Sequence, residues 1–332
     1  MNFIFSECTF LRYFIPLVIE GNVRGIRSKM FVQGDNSKYS SPRIKRNLDQ
    51  ILQLSSFFGF DLFEIQELSK HSGLTFMIEG VGREYIRDFH TGVSITYQTD
   101  FTDLFAKYEK EVENILFPSR KFAERYECLS EKNLYLGSPK YDNCMPYMSD
   151  GRSQREIICK KYGIDHREKF ALVAFPRLRD ISKIDMGSVY LALRELGYKI
   201  IVKTRGKDPV SQENLRGDYY FEDFTWFPHT AMELISISDF IVNFDSTIIK
   251  ESTVLRKKMV NFHIKPFTPK LDFLYGHSFC RSLQPGIESK KIKSEISDLL
   301  SLDLESTFDT AIDSHLFNPV GVCKNILNHF GV

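Results

Sequence analysis

The chain has 332 residues, of which 42% are hydrophobic and 26% charged, and its formal net charge is +1. That length holds two domains of ordinary size, each with its own core, and so balanced a charge speaks against a general nucleic-acid binder. The six cysteines, Cys8, Cys128, Cys144, Cys159, Cys280 and Cys323, are scattered without a C-x-x-C pair. Such spacing suits neither a zinc site nor a disulfide framework and points to free thiols in a reducing cytoplasm.

The first residues, MNFIFSECTFLRYFIPLVIEG, are apolar, yet they lack a basic leader and a small-residue cleavage site, and Glu7 and Arg12 interrupt the run. No later stretch reaches the roughly 20 apolar residues that cross a bilayer. The expectation is a cytoplasmic protein, with a peripheral place at the inner membrane surface left open. Asn2 to Phe5 reads as a buried strand and Phe10 to Ile19 as a helix with Leu11, Phe14, Ile15 and Val18 on one side. Glu7 is the one carboxylate in the loop between them. It is either a base that takes a proton from a hydroxyl or a group that serves the helix start.

Further short strands follow at Lys29 to Val32, Leu74 to Ile78 and Gly92 to Tyr97. The loop Gly34 to Pro42 is built of turn formers and leads to a helix around Arg43 to Phe57. Glu79-Gly80-Val81-Gly82 is a glycine-containing exit from a sheet and only a weak phosphate-loop signal. Gln98-Thr99-Asp100 precedes another helix, making Asp100 a second candidate base or a plain N-cap. Asn114 to Ser119, the helix Arg120 to Tyr126 and the strand Asn133 to Leu136 run into Gly137-Ser138-Pro139-Lys140-Tyr141-Asp142.

The stretch 143–155 reads as a linker between a first domain, 1–142, and a second, 156–315, with a terminal helix in 316–332. Phe170 to Phe175 is the second domain's first strand, and in the loop after it stand Arg177 and Arg179, whose planar forks can each hold two anion oxygens or simply stay solvated. After the helix Met186 to Leu196, the strand Tyr198 to Val202 ends in Lys203-Thr204-Arg205-Gly206, two cations at a strand's end. Trp226-Phe227-Pro228-His229 precedes the helix Met232 to Ile237 and either stacks on a base or packs beneath it.

The most informative segment is Ser236 to His263. The apolar run Phe240-Ile241-Val242, the turn Asp245-Ser246-Thr247, a helix from Ile248 and the strand Met259 to Phe262 make a βαβ unit. Asp and Ser are favoured N-caps, and ligands of open α/β sheets lie at the carboxyl ends of strands, so this turn is either an anion site or an ordinary cap.

Asp245-Ser246-x-x-x-x-Glu251, followed by Lys258 and a strand, resembles the donor-site signature of GT-B nucleotide-sugar enzymes. These include UDP-N-acetylglucosamine 2-epimerases, CDP-glycerol glycerophosphotransferases and capsule and lipopolysaccharide glycosyltransferases. Strand, Pro-Ser, helix, strand and Gly-x-Pro-x-x-Asp at 114–142 resembles the exit from their first domain. The resemblance implies two Rossmann-like, doubly wound α/β domains facing each other across a cleft. It places the donor diphosphate at Ser246, Thr247, Lys203 and the Arg177 loop, with Arg205, His229 and Asp245 around it and the ribose on Glu251. Glu7 or Asp100 would be the base toward a glycan or lipid-linked acceptor.

No Asp-x-Asp occurs, and neither a metal nor another cofactor is expected. Thr247-Ile248 replaces the glycines of the epimerases, and Arg205-Gly206 replaces the His-Pro of the glycerophosphotransferases. A glycosyltransferase of surface-polysaccharide assembly is the leading expectation. The alternatives are a polyol-phosphate transferase, an epimerase-like enzyme and a non-catalytic GT-B partner.

Overall fold

The structure is a computed structural model that describes residues 1–33, 47–97, 102–142, 151–176, 178–204, 216–222, 227–264, 272–312 and 321–332. It divides into two compact units, Met1–Asn143 with His315–Val332, and Cys144–Ser314. Each is built on one parallel sheet.

In the first unit the strands are β1 (Asn2–Phe5), β2 (Ser28–Val32), β3 (Phe60–Glu64), β4 (Gly73–Ile78), β5 (His90–Ile95), β6 (Asn114–Leu116) and β7 (Asn133–Leu134), in the spatial order β3-β2-β1-β4-β5-β6-β7. The second unit has β8 (Phe170–Ala174), β9 (Lys199–Lys203), β10 (Tyr219–Phe221), β11 (Phe240–Asn243), β12 (Met259–Phe262) and β13 (Cys280–Leu283), ordered β10-β9-β8-β11-β12-β13. Both sheets therefore start in the middle, run outward, return and run out the other way. The order reverses between β1 and β4 in one and between β8 and β11 in the other, and such reversals open a crevice at the carboxyl ends of the flanking strands.

The central strands are mostly apolar because helices cover both faces of a parallel sheet. β1, β8 and β11 are buried at every position. Phe3 of β1 stacks on Phe76 of β4 at 5.4 Å and meets Phe14 of the helix Leu11–Val23 at 5.1 Å. Burying such a side chain contributes roughly 1.5–3 kcal/mol. The turn after β4 is closed just as tightly. A Cβ on Gly82, at φ 84°, would lie 2.5 Å from Ile4, so only glycine fits there. Three strands differ from the sequence reading, which passed over β3, β10 and β13.

Asp142, the last residue of the Gly-x-Pro-x-x-Asp passage, accepts the backbone N–H groups of Val322 at 2.9 Å and Cys323 at 2.6 Å. It thereby caps the helix Val322–His329, which belongs to the first unit. Burial pushes its carboxyl up and those two hydrogen bonds pull it back down. Arg24 adds a bond to the carbonyl of Lys324 at 3.1 Å and another to that of Val332. Cys8, Cys128, Cys159, Cys280 and Cys323 are free and buried. Among the described residues no helix is long and apolar enough to cross a membrane.

Candidate functional site

The crevice of the second unit lies where β8 and β11 end. β11 finishes on Asn243 and β12 pairs with it in parallel, Asn243 opposite Asn261. These two amides organise the turn. Asn243 Nδ2 donates to Asn261 Oδ1 at 3.0 Å and to the Ser246 carbonyl at 3.2 Å, while its own oxygen accepts the Ser246 N–H at 3.3 Å. Asp245 donates its N–H to Asn261 Oδ1 at 2.9 Å. Its carboxylate accepts Asn261 Nδ2 at 2.9 Å and the Ile264 N–H at 2.8 Å, and His263 Nδ1 lies 3.1 Å away. The Asp245 side chain is 0% exposed. Its backbone is left-handed, φ 46°, a conformation that costs a non-glycine residue roughly 1–2 kcal/mol and that the network of bonds holds in place.

This arrangement corrects the capping expectation. Thr247, not Asp245 or Ser246, stands at the N-cap of the helix Ile248–Val254, and it makes no side-chain cap bond. Asp245 points back to β12 because two buried donors there, Asn261 and Ile264, need an acceptor. Ser246 is left half-buried and Thr247 exposed at the mouth of the turn. The helix has only seven residues, so its dipole adds little and the hydroxyls matter more. Glu251, one turn further, is 4% exposed.

Lys203 ends β9 and is 8% exposed, its ammonium donating to the Thr204 carbonyl at 3.2 Å. Thr204 in turn lies 3.2 Å from the Tyr220 hydroxyl of β10. Past β8, the short helix Leu178–Ile181 carries Asp180, which pairs with Lys183 at 3.0 Å. Lys183 also reaches the Ile264 carbonyl at 3.3 Å, joining the exit of β8 to that of β12. Arg177 and Arg205 lie outside the described residues, as does the side chain of Arg179. His229 is buried at the N-cap of the helix Thr230–Ile237, where its carbonyl accepts the Met232 N–H.

In the first unit the matching crevice lies between the ends of β1 and β4. Glu7 sits just beyond β1, before the short 3-10 helix Cys8–Phe10, and makes no side-chain cap bond to it. Glu79 follows β4 directly, left-handed at φ 51°, and its Oε1 accepts the Tyr97 N–H at 3.0 Å. Asp100 lies outside the described residues. The fold thus brings Glu7 and Glu79 to adjacent strand ends.

The sequence reading missed Asn243, Asn261 and His263 as members of the site. One signal for them exists: Asn243 closes the otherwise apolar FIVN, Asn261 interrupts MVNF one residue before its end, and His263 follows that strand directly. Polar side chains are placed at the ends of buried strands where something other than core must be met.

No protein-family model matches the chain, and no curated protein matches it in sequence. Solved structures do match it along its length. A variant of the wall teichoic acid polymerase TagF aligns with TM-score 0.67 and 10% identity, over 99% of this chain and 87% of that one. The UDP-GlcNAc 2-epimerase from Neisseria meningitidis bound to UDP-GlcNAc aligns with TM-score 0.65 and 12% identity, over 99% and 98%. The glycotransferase of kitacinnamycin aligns at 0.57 and 10%, over 99% and 95%. The two Rossmann-like units of this chain are therefore those of the GT-B fold, the fold of the nucleotide-sugar enzymes that its turn at Asp245-Ser246 resembles.

Proposed function

We propose that the protein is a glycosyltransferase that moves a sugar from a nucleotide-activated donor to a glycan or glycolipid acceptor. The observation that carries this reading is the turn after β11. A fully buried carboxylate and two buried amides hold Ser246 and Thr247 at the mouth of the crevice where ligands of this topology bind. In this reading Ser246, Thr247, Lys203 and the arginines 177, 179 and 205 face the donor diphosphate, and Glu251 faces the ribose. These cations of the chain, rather than a metal ion, neutralise the charge that grows as the diphosphate leaves. The acceptor hydroxyl adds to the anomeric carbon, the carbon–oxygen bond to the diphosphate breaks with its electron pair on phosphate, and Glu7 or Asp100 takes the hydroxyl proton. The work would be done in the cytoplasm, at the membrane surface when the acceptor is a lipid.

The likeness to TagF favours one second reading, in which the same site transfers a polyol phosphate. Thermal shift of the purified protein against UDP, CDP, GDP, dTDP and CMP and their sugar or glycerol adducts, with and without magnesium, separates the two. A ligand at about 100 times its dissociation constant adds about 2.7 kcal/mol to stability. The glycosyltransferase reading requires one nucleotide sugar to stabilise the wild type and to lose that effect in Ser246→Ala and Glu251→Ala. Stabilisation by CDP-glycerol alone would move the assignment to polyol phosphate, and silence from every ligand would remove the donor site.

A further inference from the structure

His263 is placed as a functional histidine is placed, and the donor chemistry just described leaves it unused. It stands immediately past β12, where its N–H donates to the Leu283 carbonyl at 3.0 Å, so its backbone is part of the sheet edge. Its side chain is 28% exposed, against 0% for the Asp245 carboxylate behind it. Because a carboxylate only accepts, the 3.1 Å contact between Asp245 Oδ1 and His263 Nδ1 puts the ring proton on Nδ1. Asn261 Nδ2, 3.3 Å from the same ring atom, is itself a donor; one of its two hydrogens goes to Asp245, and a protonated Nδ1 does not accept the other. Among the described residues every hydrogen bond of the ring runs through Nδ1, which leaves Nε2 for whatever enters the crevice. Tyr275 meets the ring edge-on, centroids 5.8 Å apart, and fixes its plane.

A buried carboxylate that orients an imidazole and supports the charge it takes on is the working half of many acid–base sites. Here the carboxylate is held by Asn261 and Ile264 in a left-handed backbone conformation that exists only because those bonds exist.

We infer that His263 is a donor-side catalytic residue whose Nε2 meets the diphosphate of the nucleotide donor, with Asp245 as its positioning residue. This rests on the nucleotide-donor reading above. As the anomeric carbon–oxygen bond breaks and its electron pair passes to the phosphate oxygen, the imidazolium shares its Nε2 proton with that oxygen as a hydrogen bond. The acceptor's proton goes to the base of the other unit, and the ring ends the turnover as it began. Among the described residues the titratable and charged groups around the ring are Asp245, the Tyr275 hydroxyl and the Lys183–Asp180 pair reaching Ile264, with Cys280, whose thiol burial pushes up, next to Asp245.

The test follows the ring itself in protein labelled with 15N-histidine, titrated by NMR between about pH 5 and 9 around the ordinary histidine value, alone and saturated with UDP or with CDP. The signal that disappears in His263→Gln is the ring in question. Its midpoint should rise by about one unit on nucleotide binding, which is the same as about tenfold tighter binding to the imidazolium. Accordingly His263→Gln should bind the nucleotide about tenfold more weakly below the midpoint and as the wild type does well above it. In Asp245→Asn the rise of the midpoint on nucleotide binding should shrink, whereas an aspartate that only lends its charge to the ring would lower the free and bound midpoints alike. A midpoint that stays put with nucleotide bound, together with unchanged affinity in His263→Gln, overturns the role of His263 and leaves the donor reading standing. Absence of binding by either nucleotide to the wild type overturns both.

Discussion

Each unit carries an acidic residue in left-handed backbone just past the fourth strand of its sheet, Glu79 after β4 and Asp245 after β11, and the two spend their carboxylates differently. Glu79 is half-buried, and its Oε1 accepts the Tyr97 N–H in the crevice it shares with Glu7. Asp245 is sealed in, and amide, backbone and imidazole donors converge on it. The first crevice thus presents acid and the second conceals it, showing instead Ser246, Thr247 and His263. On the proposed function, that division suits a base toward the acceptor and neutralising groups toward the donor. It also shows that strained backbone is kept where a side chain must be aimed, in a pocket floor as readily as at its mouth.

The largest expected effect breaks the comparison outright. Asp245→Ala leaves the Ile264 N–H and the Asn261 amide buried without their acceptor, at about 1–3 kcal/mol each, so a loss of about 3 kcal/mol or more is expected in urea denaturation. Glu79→Ala loses the half-buried bond to the Tyr97 N–H, worth about 1 kcal/mol, and should cost less than Asp245→Ala. Equal losses in the two variants would mean that the crevices are built alike.

An intermediate effect contrasts the two ends of the strands in the second sheet. At the amino end, opposite the site, Lys257 donates to the Ser236 carbonyl at 2.9 Å, and burial lowers its pKa from 10.5 to about 8. Between those two values the unfolded chain still holds a proton that the folded chain has released, so stability must rise with pH from about 8 toward 10.5. The gain is at most about 3 kcal/mol, and Lys257→Met should flatten it. A slope that persists in Lys257→Met would place the titrating group elsewhere.

The smallest effect tests strain alone. Glu127 is also left-handed, φ 54°, but exposed, just past the helix Arg120–Arg125, where the Cys128 N–H closes back on the Ala123 carbonyl at 2.9 Å. Glycine is the favoured residue at such a helix exit. Glu127→Gly should therefore raise stability by about 1 kcal/mol by calorimetry, whereas glycine at 79 or 245 forfeits more in hydrogen bonds than it relieves in strain. A destabilised Glu127→Gly would show that its conformation, too, is held by a contact that matters.

What the sequence determined by itself is the set of strands buried on both faces and the unit between 240 and 262. β1, β4, β8, β11 and β12 are continuous apolar runs because helices lie above and below them, and such runs are visible without knowing any partner. β3, β10 and β13 lie at the edges of their sheets, half-covered, and FDLFE, YYF and CRSL carry no such run. They become strands only because a neighbour offers its hydrogen bonds. The turn Asp245 to Glu251 was legible as a motif, but the direction of the Asp245 side chain was not. That depends on the parallel register of β11 and β12, which sets Asn243 against Asn261, 18 residues away, and brings His263 within reach of Asp245. Asp142 tells the same story over a longer span, for its helix-capping partners lie 180 and 181 residues on. Local patterns record what each residue buries; which polar group meets which is decided when distant strands and helices pack, and the site is made of those meetings.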